Sequence, residues 1–271
     1  RQAERRPRVG LRRARTARGD FTPEGDRVRM VAQCRKHALI AHEEPCRIVA
    51  HPSSLAGKPP IILEELVLEA DLALVASAAH EQSVAQTRSF SSMALLVEAL
   101  AGHIAGRSDQ GQLGELSMAC DHLLKAYHGL ARELGEDASL ERVYFLGSGG
   151  LYGIACEAML KMKEMSLSYS EAYHTLEFRH GPMSMVNGHT LMVGLISAEA
   201  AAHEIAVLKQ MQQQGARALV LVEQDNFGLA AWSDAVALQS DVPSWARPIL
   251  YLPVLQLMAY YRAMARGQNP D

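Results

Sequence analysis

The stretch "RVYFLGSGGLYGIACEAMLKMKEMS" (residues 142–166) decides the fold. Its first six residues are an almost unbroken apolar run ending in glycine, which predicts a buried strand over 142–147. "SGG" then makes a tight turn, and a helix is expected from Leu151 to Ser166. A strand passing through small residues into a helix is the recurring joint of parallel α/β sheets. The glycines at 147, 149, 150 and 153 spell GxGxxxG rather than the dinucleotide GxGxxG. Two readings of the turn stay open: a plain strand-to-helix connection, or a loop that lets backbone N–H groups approach a phosphate or sugar hydroxyls.

Working outward, the same alternation recurs. "TLMVGLIS" (190–197), "RALVLVE" (217–223) and "AVALQ" (235–239) read as strands, and residues 198–215 as a helix closed by Gly215. Residues 113–135 read as one amphipathic helix with Gly135 just past its end. Residues 246–267 read as a long terminal helix kinked at Pro253. Near-continuous apolar strands between such helices imply a parallel sheet covered on both faces. The fold class is therefore α/β, a doubly wound three-layer α-β-α sheet of flavodoxin-like type, with a site expected at the carboxyl ends of its strands.

Before it, "GRSDQGQ" (106–112) is a polar linker, 88–104 a helix with Phe90, Met93, Leu96, Val97 and Leu100 on one face, and 71–77 a strand. A short strand at 46–50 and a helix over 28–44 are expected, while 61–70 fits strand or helix. Residues 1–27 lack periodicity and read as disordered. The division is thus an atypical basic segment (1–59), the end of a first α/β unit (60–106) and a complete unit (113–271).

The net charge of −3 hides an asymmetry: residues 1–47 hold 13 Lys/Arg against 6 Asp/Glu, and the rest 14 against 24. The whole chain has no polyanion-binding character, and no nucleic-acid partner is expected. Four scattered cysteines without a CxxC pair fit free thiols in a reducing compartment, so a cytoplasmic location is expected. No apolar run reaches the ~18–20 residues of a membrane span.

Within the helix, Glu157, Lys161 and Glu164 fall at i, i+4 and i+7, on one narrow stripe, with Lys163 pointing elsewhere. A surface ion-pair ladder is one reading. The apolar company of Ile154, Ala158, Met159, Leu160, Met162 and Met165 supports another, a half-buried acid–base–acid row in which burial and the ammonium act oppositely on carboxyl pKa values. Isomerising an aldose phosphate needs a base to move a proton between C1 and C2, a cation for the enediolate oxygen and a group to open the ring. Two carboxylates, a lysine and the imidazole of His180, in "EFRHGP" (177–182), would supply them; a turn histidine before Gly-Pro is the plainer reading of His180.

At these residues the sequence resembles the SIS (sugar isomerase) family. It is similar to the second half of the isomerase domain of glucosamine-6-phosphate synthases, and more closely to the tagatose-6-phosphate ketose/aldose isomerase and aminosugar-phosphate deaminase branch. The pieces that carry the likeness are residues 145–166, "SEAYHTLEFRHGPMSMV" (170–186), "EQSVAQTRSFSSM" (81–93) and "YLPVLQLMAYYRAMARGQNPD" (251–271). The resemblance implies Glu164 as the proton-transferring carboxylate, Lys161 and Glu157 as its helix partners, and His180 as the ring-opening residue lent by the neighbour in a homodimer. It places Val84 and Gln86 against the sugar, with Ser148 and Gly149 in the second half's own turn. It implies a phosphorylated sugar or amino sugar as ligand, and neither cofactor nor metal. The family's Ser-rich phosphate loop does not appear before Asp71, where the front of a first unit is expected to be missing, and the last lysine is Lys209, so no tail lysine aligns. The resemblance thus implies a phosphosugar isomerase or deaminase; a noncatalytic phosphosugar-binding module and an inactive remnant are the alternatives.

Overall fold

The computed structural model describes residues 48–52, 72–76, 79, 81, 83–107 and 109–270. The helix expected over 28–44, the ambiguous segment 61–70 and the disorder expected over 1–27 lie outside the described residues. The chain divides into two compact units, one up to His80 and one from Glu81 onward. In the first, β1 (Ile48–Pro52) and β2 (Leu72–Ala76) pair in parallel, Ile48 opposite Leu72.

The second unit is built on five parallel strands: β3 (Arg142–Gly147), β4 (Tyr169–His174), β5 (Thr190–Leu195), β6 (Arg217–Val222) and β7 (Asp234–Ala237). They lie in the order β4-β3-β5-β6-β7, all parallel. Counted from β3 this is 2-1-3-4-5, the flavodoxin-type order, whose direction reverses between β3 and β5. Among the described residues six helices accompany the sheet: α1 (Thr87–Ile104), α2 (Glu115–Ala126), α3 (His128–Glu136), α4 (Gly150–Ser166), α5 (Ala201–Gln213) and α6 (Leu252–Ala265). No helix among the described residues is long and apolar enough to cross a membrane.

The three layers follow from period-2 alternation in strands apolar on both sides. Val143, Phe145, Leu191, Val193, Leu219 and Leu221 join a core with α3, α4 and α6. Tyr144, Leu146, Met192 and Val220 join the opposite core with Ile205, Leu208 and Met211 of α5. Gly194 lets α5 come close, since a Cβ there would stand 2.3 Å from Leu208 Cδ1. Arg262 of α6 is buried and pins the helices to the sheet. It donates to the carbonyls of Asp137 (2.6 Å) and Leu140 and to Ser168 Oγ (3.3 Å), so its charge is spread over acceptors left free at chain connections.

Three expectations are corrected. The single helix over 113–135 is broken at Tyr127, whose hydroxyl accepts from Ala237 N (3.0 Å) at the end of β7 and so fixes the bend between α2 and α3. Gly135 does not terminate that helix but lies within α3, against α6: a Cβ there would meet Met258 O at 2.6 Å and Tyr261 Cβ at 2.7 Å. Pro253 does not kink a helix; it sits in the first turn of α6, after a 3₁₀ turn over Arg247–Tyr251, where its missing N–H has no intrahelical partner to lose. One strand is new: β4 falls in a segment read as loop. Among the described residues it is an edge strand with a single neighbour, so its sequence, YSEAYH, is free to be polar.

Because the Gly135 contact is with backbone, Gly135→Ala should cost ~1–3 kcal/mol by overpacking. Urea denaturation would measure it; an unchanged midpoint would contradict close α3–α6 packing.

Candidate active site

Helix α4 begins directly after β3. Gly147 cannot carry a side chain, because a Cβ would stand 2.4 Å from Leu151 O, and Gly149 has a positive φ of 56°. Ser148 Oγ donates to Thr175 Oγ1 at 3.3 Å, linking the ends of β3 and β4. Beside them the Tyr152 ring stacks on His174, centroids 3.9 Å apart.

From this start α4 presents Ile154, Ala155, Ala158, Met162 and Met165 to the core. The charged row lies along one shoulder of that buried face. The side chains of Glu157 and Lys161 are only 5% and 4% exposed, whereas Glu164 is 37% exposed. Lys161 Nζ donates to Glu164 Oε2 at 2.7 Å and stands 3.5 Å from Glu157 Oε1. Glu157 Oε1 is buried and makes no well-formed hydrogen bond among the described residues. The row is therefore the buried arrangement, with its last carboxylate open to solvent, and not a surface ladder.

Burial pushes the Glu157 carboxyl up to about 7; the Lys161 ammonium opposes this and Glu164 adds to it. A folded-state pKa above the unfolded one means the native state holds the proton more tightly. Glu157 thus contributes stability that is greatest at acid pH and declines as pH rises from about 4.5 to about 7.

The remaining expected residues are distributed as follows. His180 lies on an exposed loop anchored by fully buried Phe178, which packs on Tyr144 and Tyr173. Among the described residues no hydrogen bond or ion pair joins His180 to the charged row. Val84 is 87% exposed and Gln86 immediately precedes α1 without a side-chain capping bond, while Ala85 between them is buried in the core that holds Leu151, Ile154 and Ala155. Gln256 of α6 bonds Thr87 O and Ser91 Oγ, both at 3.4 Å, and so ties α1 to α6. Ser148 and Gly149 are at the opposite end of α4 from Glu164. At 1.5 Å per residue, Gly150 and Glu164 are separated by ~21 Å along the helix, so the glycine turn and Glu164 do not meet around one sugar within a chain.

Sequence reasoning missed Glu81, whose carboxylate accepts from the backbone N–H groups of Arg88 (3.0 Å) and Ser89 (3.2 Å) and caps α1. It also missed Thr175 and the Tyr152–His174 stack, which required knowing that β4 is a strand. Among the described residues no group of three or more His, Cys, Asp or Glu is arranged to hold a metal ion.

Lys161→Met leaves Glu157 buried without its cation, which should cost ~3–5 kcal/mol at pH 8. The loss should shrink at pH 5, where Glu157 is protonated, and the double variant Glu157→Gln/Lys161→Met should recover most of it. Denaturant titrations at the two pH values check this; a pH-independent loss would contradict the coupling.

Comparison with known proteins gives one answer from sequence and structure. Residues 138–266 match the model of the SIS domain. A glutamine–fructose-6-phosphate aminotransferase (isomerizing) of Pseudomonas syringae pv. tomato is 29% identical over 224 residues, covering 77% of this chain and 36% of that protein. The chain thus spans about a third of the length of the curated relatives it matches. The C-terminal domain of a glucosamine-fructose-6-phosphate aminotransferase from Francisella tularensis superposes with a TM-score of 0.65 at 26% identity, covering 76% of this chain and 62% of that one. A glucosamine-6-phosphate deaminase from Thermotoga maritima superposes at 0.60 and 25% identity, covering 86% and 75%. The family match and the 2-1-3-4-5 parallel sheet shared with these neighbours together identify residues 138–266 as a SIS domain.

Proposed function

We propose that the protein acts on a hexose or hexosamine 6-phosphate, moving a proton between C1 and C2 as an aldose–ketose isomerase or an aminosugar-phosphate deaminase. The observation that carries this is the Lys161 ammonium held between one buried and one solvent-facing carboxylate. Glu164, the accessible member, is the base: it takes the proton from one carbon and returns it to the other. Lys161 fixes that carboxylate in direction through its 2.7 Å bond. Glu157 balances the charge of Lys161 from the buried side, with a carboxyl that changes protonation near neutral pH.

His180 opens the sugar ring by proton transfer at its ring oxygen, reaching the row of a neighbouring copy in a homodimer. Its exposure on a loop anchored by Phe178 supports that role. Val84 and Gln86 contact the sugar from the segment before α1, tied to the body by Ala85 and by the Gln256 bonds. The relatives that support the substrate class are the aminotransferase and deaminase described above.

The proton transfer can be watched directly by incubating the protein with glucose, fructose and glucosamine 6-phosphates in D₂O. Deuterium should enter at C1 or C2 of at least one, and Glu164→Gln should slow its entry by ~10²–10⁴-fold. His180→Ala and Glu164→Gln, each inactive, should regain part of the activity when mixed, since a mixed dimer keeps one intact site. Binding without deuterium entry in the wild type would favour a noncatalytic phosphosugar-binding module.

A further inference from the structure

A second site stands apart from the charged row, at the carboxyl ends of β5 and β6. There a cavity of about 200 Å³ is lined by Ile196, Ser197, Val222, Glu223, Asn226 and Phe227, among others. Open α/β sheets receive ligands outside the carboxyl ends of their strands, near the point where strand order reverses. In this sheet Leu195, just before the cavity, is paired with Gly147 across that point.

The chemistry around the cavity is acidic. Glu223 lines it, and Asp225 lies in the same turn, accepting from the N–H groups of Phe227 and Leu229 at 3.3 Å. Glu204 is completely buried behind Ser197, where one carboxylate oxygen accepts from Ser197 N (2.7 Å) and Oγ (3.1 Å). Its other oxygen, Oε1, is buried with no partner among the described residues. Tyr251 donates to Ile196 O at 3.0 Å, and its phenol pKa is raised first by burial and then by the negative charges of Glu223, Glu204 and Glu199. Against these four carboxylates the described residues set the cation Arg247, which pairs with Glu223 and donates to Val242 O at 2.5 Å. The start of α4 lies on the far side of β5, and none of its residues lines the cavity.

A phosphate would enter against this field, whereas an ammonium group would be drawn in. Phe227, 45% exposed at the rim, offers a ring face to a cation, and Asn226 and Gln224 offer amides to hydroxyls. We propose that this cavity binds a small unphosphorylated amine carrying hydroxyl groups, of the class of a free amino sugar, at a site separate from the charged row. The amine would face Glu223 while the sugar body lies along Phe227.

Backbone ¹⁵N–¹H spectra of the whole chain can test it, followed at Gln224, Asn226 and Phe227 during titration with glucosamine. Saturable shifts are expected, weakened at least threefold when NaCl is raised from ~50 to ~500 mM. Glucose and N-acetylglucosamine, which lack the ammonium, should shift these residues at least tenfold less effectively, and glucosamine 6-phosphate should be weaker than glucosamine. Glu223→Gln should lower the affinity about tenfold. The surface change Phe227→Ser, which leaves the core untouched, should lower it several-fold. Glu164→Gln should leave it unchanged, so failure here and failure of the isomerase reading are distinguishable. Shifts absent with glucosamine, or equal with N-acetylglucosamine, would overturn the proposal.

Discussion

A lysine ammonium fixed between two carboxylates, on the shoulder of a helix otherwise committed to the core, is the constraint around which the candidate active site is arranged. Exposed ion pairs contribute little, roughly 0–1 kcal/mol, and buried ones commonly do no better than apolar residues of equal volume. Stability alone therefore gives no reason to place Glu157 and Lys161 among methionines and alanines. What the arrangement supplies is control of protonation. The buried carboxylate is raised toward neutrality, and the exposed one is held by a 2.7 Å charge-assisted bond.

The sheet explains how this row is positioned. The turn after β3 is tight because Gly147 and Gly149 allow it, and α4 then runs back over the sheet with its apolar arc against α6 and the strands. Arg262 locks α6 to the connection between α3 and β3, and Gly135 lets α3 close on α6. The row inherits its rigidity from these contacts. The same geometry separates it from the glycine turn by most of the length of α4.

Much of this was legible in the sequence. The strands β3, β5 and β6 and the span of α4 follow from apolar runs and glycine punctuation, and the i, i+4, i+7 spacing placed three charges on one stripe. Spacing could not decide whether that stripe was buried, because burial depends on α6 and the sheet, which are distant in the chain. Gly135 was misread for a related reason: a glycine that ends a helix and one that admits a neighbouring helix look alike until the neighbour is known. Tyr127 breaks a well-patterned helix through a bond to Ala237, 110 residues away. β4 escaped because an edge strand need not be apolar. Capping by Glu81 crosses a short loop whose path periodicity does not encode.

The central claim is that burial and Lys161 together tune Glu157 to titrate near neutrality while Glu164 stays available to substrate. The most direct measurement is a ¹³C NMR titration of the glutamate side-chain carboxyls, with Glu157 assigned by comparison with Glu157→Gln. The account predicts a Glu157 midpoint about 7. A midpoint near the ordinary value of about 4.3 would show a carboxyl in contact with water, and would contradict the buried acid–base–acid row.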